Sequence, residues 1–409
     1  MIKLHLDNLH KVATKHGLTK VEIQEQAAKI PEYLEKIAAR DQGFYEIVDD
    51  EATRQCVEEF AAKVRDKYDH FVVFGIGGSS LGGICLQQAF TNSFAETKLH
   101  IIDNIDPLWL HELENHIFLE RSLFIVITKS GGTPETMEEY HHFRNKTDAA
   151  GLDPKEHFVF VTDPESGKLR QIANDEQIPA FEIPPNVGGR FSVLTPVGLL
   201  PASLLAIDTK ALLTGAQQMR NAFLSHDFDT NLPFQIATIQ YLLGQKGKTI
   251  NVMMPYAQKL IRFADWYRQL LAESIGKAQN NSGDTVNVGL TPVNALGVTD
   301  QHSQSQLYME GPNDKLLIFI KISARSGILP TFSRLMDAEL QATADALTEN
   351  NRPNFTIEIS AVTPETLGAL FMLFEAATAF LGEFYDINAF DQPGVERSKV
   401  LTKEYLQKT

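Results

Sequence analysis

The sequence predicts an α/β protein organised around two parallel sheets, and three observations predict it. From residue 70 onward, short apolar runs alternate with helix-length amphipathic stretches: Phe71 to Ile76, Leu99 to Ile102, Leu123 to Thr128 and Phe158 to Thr162. Near-continuous apolar runs of this length suit strands covered by helices on both faces. Each run ends in Gly, Asp, Asn, Ser or Thr, residues that turn the chain and cap the next helix, as in Asp103-Asn104-Ile105-Asp106-Pro107 and Thr162-Asp163-Pro164-Glu165. Pro107, Pro134 and Pro164 suit first helical turns. A second set follows, with Thr249 to Met254, Leu316 to Ile322 and Phe355 to Ser360 as strands and helices near 231–246, 257–277, 332–349 and 364–382.

The 409 residues are enough for two or three domains. Residues 1–65 carry helix-spaced apolar positions (Val21, Ile23, Ala28, Ile30, Tyr33, Leu34, Ile37) and are expected to form an N-terminal helical extension. Residues 66–207 then form a first α/β domain, 208–390 a second, and 391–409 a C-terminal helical tail, with the apolar segment Phe191 to Ile207 as the helix joining the two domains. No sequence repeat or long flexible linker separates them, so tight packing is expected.

Composition narrows the function. Hydrophobic residues at 43% and charged residues at 22% describe an ordinary folded chain. A net charge of −15 disfavours a grip on nucleic-acid phosphates. Cys56 and Cys85 are the only cysteines, so neither a disulfide framework nor a four-thiolate zinc site is available, and a reducing compartment is the simpler expectation. Met1 to Val12 shows no export signal, and the apolar stretch Leu367 to Leu381 carries Glu375 and is short for a bilayer. A cytoplasmic protein without membrane or nucleic-acid partners is expected.

Ligand sites in parallel α/β sheets lie beyond the carboxyl ends of the strands, and six segments stand out there. Gly75 to Gly83 (GIGGSSLGG) places five glycines in nine residues between a strand and a helix, allowing backbone N–H groups to approach an anion closely at the helix N-terminus. The same stretch matches the nucleophile elbow as Gly78-Ser79-Ser80-Leu81-Gly82, which leaves open a hydrolase with Ser80 as nucleophile and His302 as base. Thr128 to Thr136 (TKSGGTPET) offers Thr128, Lys129, Ser130 and Thr133, small donors suited to a phosphomonoester. Arg190 sits on a Gly-Gly turn ahead of an apolar helix, a cation that could face developing oxyanion charge or join the domains. Gln269 and Glu273 are four apart and share a helix face. His302 lies in the polar run Asp300 to Gln306, and Gln392 and Lys399 in Phe390 to Lys399.

Taken in chain order, FGIGGSSLGG, TKSGGTPET, GGRFSVLTPVGLLP, ESIGK, DQHSQSQ and DQPGVERSK resemble the glucose-6-phosphate isomerase (phosphoglucose isomerase) family over residues 74–399. The resemblance implies two sugar isomerase domains, each a flavodoxin-like parallel-sheet αβα sandwich. It implies interconversion of glucose 6-phosphate and fructose 6-phosphate in glycolysis and gluconeogenesis, without metal or cofactor. Gly77, Gly78, Ser79, Thr128, Lys129, Ser130 and Thr133 would then hold the phosphate, and Gln269 and Gln392 would orient sugar hydroxyls. His302, helped by Lys399, would open the ring, Glu273 would carry the proton between C2 and C1 through a cis-enediol, and Arg190 would stabilise the negative charge. The family's histidine comes from a neighbouring subunit, which implies a homodimer with the site at its interface. A non-catalytic sugar-phosphate sensor would keep the cradle but need neither Glu273 nor His302.

Overall fold

The computed structural model describes residues 2–324, 327 and 329–407. Its strands are β1 (Lys3–His5), β2 (His70–Phe74), β3 (Leu99–Ile102), β4 (Ser122–Ile127), β5 (Phe158–Thr162), β6 (Ala180–Glu182), β7 (Ile250–Pro255), β8 (Lys277–Gln279), β9 (Thr285–Val288), β10 (Thr291–Asn294), β11 (Lys315–Ile322) and β12 (Asn354–Ile359). One five-stranded sheet has the order β3-β2-β4-β5-β6, with every pairing parallel. This is the flavodoxin order, in which the chain steps to one side after its first strand and then builds outward on the other.

The second sheet repeats that plan. Its order is β1-β12-β11-β7-β10, parallel from β7 through β12, so β7, β10, β11 and β12 occupy the places of β2, β3, β4 and β5. The fifth place is filled from the other end of the chain: β1 pairs antiparallel with β12, Leu4 opposite Ile357. The first residues are therefore a sheet edge rather than helix, a pairing that a three-residue strand cannot announce locally. The remaining stretch to Val64 is helical as expected, ending in the helix Glu51–Val64. The hairpin β8–β9 and the edge strands β6 and β10, each of three or four residues, are additions to the strands read from the sequence.

The α/β class and the long elements agree with expectation: helices Leu232–Gln245, Ile261–Ile275, Pro330–Glu349 and Pro364–Phe384 fall where the periodicity puts them. Pro107 and Pro134 open helices, whereas Pro164 lies in a loop and the following helix begins at Lys168. Helix Pro364–Phe384 is the one described helix long and apolar enough to cross a membrane, and 94% of its most apolar window is buried. It packs against the helices Thr209–Phe223 and Leu232–Gln245 as the centre of the core. Glu375 is fully buried within it, and burial pushes its carboxyl well above the ordinary range. Cys56 is exposed and Cys85 buried, and they are not bonded.

Glu139, on the helix Pro134–Ala149, is 3% exposed, and burial, with Asp103 and Glu135 adding to it, pushes its carboxyl up to about 8. The folded state holds a proton there that the unfolded chain releases near 4.5. The group costs nothing below that value and destabilises increasingly as pH rises through the folded one. Between about pH 5 and about pH 8 the Tm of Glu139→Gln should therefore fall less than that of the unmodified chain. Equal slopes in thermal melts would mean that the carboxyl ionises freely in the fold.

Candidate active site

The loops after β2 and β4 leave neighbouring strands at the point where the strand order reverses, so they open a crevice between them. In the second loop three hydroxyls converge. Thr128 Oγ1 is 2.8 Å from Thr133 Oγ1 and 3.4 Å from Ser130 Oγ, and Ser130 Oγ is 3.5 Å from Thr133 Oγ1. Thr133 occupies the N-cap of the helix Pro134–Ala149 yet makes no capping bond with its side chain. Its hydroxyl is turned to the cluster instead, at a helix N-terminus whose N–H groups and dipole favour an anion. Thr136, one turn into the same helix, is buried with no hydrogen-bond partner for Oγ1 among the described residues. It is a fourth candidate donor, and its i, i+3 spacing from Thr133 was the available signal. In the first loop Ser79 is half-buried and ends the 3-10 turn Gly77–Ser79.

Lys129 serves a different purpose from its neighbours. Its ammonium donates to Pro185 O at 2.7 Å and Val187 O at 2.8 Å, tying the β4 loop to the segment that carries Arg190. Burial holds it below the usual lysine range. Within this chain it braces the two loops. Gly78 locks the first loop onto the same segment, since a Cβ there would stand 2.2 Å from Gly189 O. Gly77, at a φ of +61°, lies against the Gln269 amide.

Arg190 is 5% exposed and commits four of its five N–H groups to neutral acceptors: Nε to Ser274 Oγ at 2.6 Å, Nη1 to Gln392 Oε1 at 3.0 Å, and Nη2 to Ala389 O at 2.6 Å and Asp391 O at 3.0 Å. Glu273 Oε1 lies 3.9 Å from Nη1, too far for a hydrogen bond, so the fifth N–H stays available between guanidinium and carboxylate. Glu273 is one turn from Gln269, whose Nε2 donates to Oε2 at 3.1 Å. Burial lowers the Arg190 affinity for its proton, and Glu273 and Asp391 act against that.

Two features that sequence reasoning left without a role hold this arrangement. Lys277 donates to Glu273 O, Ser274 O and Asp391 O at 2.9, 2.9 and 3.0 Å, so it closes the carboxyl end of the helix Ile261–Ile275 and grips the C-terminal loop. Phe44, from the N-terminal extension, packs on Phe191 and Phe390 with ring centroids 5.2 and 6.1 Å away, wedging that loop behind Arg190.

His302 and Lys399 are not brought to this cluster within one chain. His302 is exposed on the turn after the 3-10 segment Thr299–Gln301, and no hydrogen bond or ion pair joins it to Arg190 or Glu273 among the described residues. Lys399 is exposed on the helix Glu396–Leu406 and pairs with Glu396 at 2.7 Å. The hydrolase alternative fails on the same geometry: Ser80 is 1% exposed and donates to Gly77 O at 3.1 Å, while the histidine that would serve as its base stands in solvent. Gly78→Ala tests the packing of the loops. Forcing a methyl group against the Gly189 carbonyl should cost about 1–3 kcal/mol in denaturant unfolding, and an unchanged midpoint would show that the two loops are not in contact.

The phosphoglucose isomerase family profile matches residues 51–349 and 335–409. The chain is 45% identical over 380 residues to a glucose-6-phosphate isomerase of Carboxydothermus hydrogenoformans, covering 86% of this chain and 81% of that protein. It is 36% identical over 419 residues to a probable glucose-6-phosphate isomerase of Methanococcus maripaludis, covering 98% and 92%. Among solved structures, a hypothetical protein from Thermus thermophilus superposes with a TM-score of 0.89 at 32% identity over 99% of this chain and 100% of that one. A glucose-6-phosphate isomerase from Chlamydia trachomatis superposes with a TM-score of 0.77 at 26% identity, covering 87% and 73%. With two flavodoxin-order sheets, a hydroxyl-lined crevice and a matching profile along most of its length, this chain belongs to the phosphoglucose isomerase family.

Proposed function

We infer that this chain interconverts glucose 6-phosphate and fructose 6-phosphate, the aldose–ketose step shared by glycolysis and gluconeogenesis, by proton transfer through a cis-enediol. The observation that carries the reading is the Glu273 carboxylate held between the Gln269 amide and a buried guanidinium with one N–H uncommitted, beside the glycine loop that follows the strand next to the one leading into the hydroxyl cluster. Thr128, Ser130, Thr133 and Ser79, with the backbone at Gly77 and Gly78, hold the dianionic ester, and Thr136 adds a donor from the same helix. Lys129 acts one step back by fixing the loop. Gln269 and Gln392 set the sugar hydroxyls.

A carboxylate is a weak base towards a carbon acid, so removal of the C2 proton needs the enediolate charge stabilised as it forms. Arg190 is preorganised for that by its four fixed bonds, and a donor that does not have to reorganise is worth about 10²–10³ in rate. Glu273 takes the proton from C2 and returns it to C1 on the same face of the enediol. Ring opening needs a group that can both give and take a proton, a role open to the His302 imidazole.

Because His302 stands outside its own chain's cluster, the reading includes a homodimer in which His302 of a second copy completes the site. The exposed helix Glu396–Leu406, with Val400, Tyr405 and Leu406 on its surface, and the exposed Leu307 near His302 are consistent with such a contact. Lys399, on that helix, would approach the site in the assembly. Catalysis without a metal and operation in the cytoplasm belong to the same proposal.

In EDTA with fructose 6-phosphate, Glu273→Gln should lower kcat by roughly 10²–10⁴ while KM changes little. Wild-type exchange of the C1 hydrogen of fructose 6-phosphate with D₂O in that variant would place the base elsewhere. Mixing inactive Glu273→Gln with inactive His302→Ala under conditions that exchange subunits should restore activity, because one site of the mixed dimer regains both groups. No recovery in a demonstrably mixed dimer would show that His302 acts within its own chain.

A further inference from the structure

Three imidazoles gather at the end of the first sheet opposite the crevice. His70 opens β2, His100 is the second residue of β3, and His116 is the last residue of the helix Pro107–His116 that follows β3. In the parallel register His100 stands opposite Val72, so His70 and His100 share a face of the sheet, and the helix returns its end over that face. His70 Nδ1 and His100 Nε2 are 3.2 Å apart, and one ring nitrogen from each of the three residues lies within 4.8 Å of the others. The ring centroids are separated by 5.2 to 5.4 Å.

We propose that His70, His100 and His116 form a binding site for a divalent transition ion of the zinc type, which clips β2, β3 and the intervening helix together and takes no part in the isomerase chemistry. Zinc–nitrogen bonds of about 2.0–2.1 Å on tetrahedral axes put ligand nitrogens about 3.3–3.4 Å apart, which the His70–His100 pair already matches. The third nitrogen needs only a small rotation of the half-exposed to exposed rings, and His116, on a helix end, is free to make it. A single N–H···N bond explains two of the rings and leaves the third unexplained. Imidazole sets select zinc, copper or nickel over magnesium and calcium, and the carboxyl end of a helix favours a cation. The three-residue set leaves a fourth position open to water. Among the described residues no other His, Cys, Asp and Glu group is close enough to hold an ion in this way. Four residues of β2 separate His70 from the Gly75–Gly83 loop, a span of ~16 Å of extended chain.

The test is calorimetric titration of the EDTA-stripped, re-desalted full-length chain with zinc sulfate at neutral pH, repeated with cobalt(II) to read its visible absorption. One equivalent binding at micromolar Kd or tighter, a rise in Tm and the intense bands of tetrahedral cobalt are expected. His100→Ala and His116→Gln should each weaken binding by roughly tenfold or more. The second variant changes an exposed helix end and reads out even where the first does not fold. His142→Ala, which removes the histidine paired with Glu114 elsewhere on the surface, should leave binding unchanged. Absence of saturable binding, binding that survives His116→Gln, or binding lost in His142→Ala would overturn the proposal. None of these readouts depends on isomerase turnover, so failure here leaves the functional reading intact, and the reverse holds too.

Discussion

The buried guanidinium of Arg190 is the constraint around which the rest of the structure is arranged. A charge taken out of water without partners is expensive, and removing one partner of a satisfied buried charge is strongly destabilising. Arg190 resolves the problem with acceptors from a helix of the second half (Ser274) and the C-terminal loop (Ala389, Asp391, Gln392), while its own backbone sits against Gly78 of the first half. Parts of the chain far apart in sequence must therefore meet before the charge is compensated. The same assembly positions Glu273, so the interactions that compensate Arg190 also set the geometry around that carboxylate.

The carbonyl of Asp391 shows how few groups this takes. It accepts from Arg190 Nη2 and from Lys277 Nζ, using both lone pairs of one oxygen to bind two buried cations. Lys277 in turn satisfies carbonyls left open at the end of the helix Ile261–Ile275. The aromatic contacts of Phe44, Phe191 and Phe390 exclude water behind this network, which strengthens its electrostatics. The N-terminal extension thus supports the Arg190 network through packing.

The two sheets share one topology although the sequence carries no visible repeat. Parallel sheets are specified by apolar runs and crossover handedness, which many sequences satisfy, so topology outlives any matching of residues. The second sheet borrows β1 for its edge, and that strand pairs across more than 350 positions of chain. Long buried strands such as β4 and β11 were legible because their apolar runs exceed anything a loop can carry. The edge strands β1, β6 and β10 were not, because a partner several hundred residues away, or a half-exposed edge, leaves no local pattern. Pro164 illustrates the opposite error: its fixed φ suits a helix start, but Gly167, at a φ of +94°, delays the helix to Lys168.

By itself the sequence determined the chemical inventory and its placement on the fold: glycine and hydroxyl loops at strand ends, Gln269 and Glu273 on one helix face, and the family that combines them. These are local properties, set by spacing along the chain and by the periods of helix and strand. Which group faces which was decided only by the tertiary structure. Lys129 and Ser130 are adjacent and both donate hydrogen bonds, yet one braces two carbonyls while the other joins the hydroxyl cluster. His302 has the right chemistry and is left outside its own chain's site. Direction in space depends on where distant backbone comes to lie, and nothing in a residue's immediate neighbours encodes that.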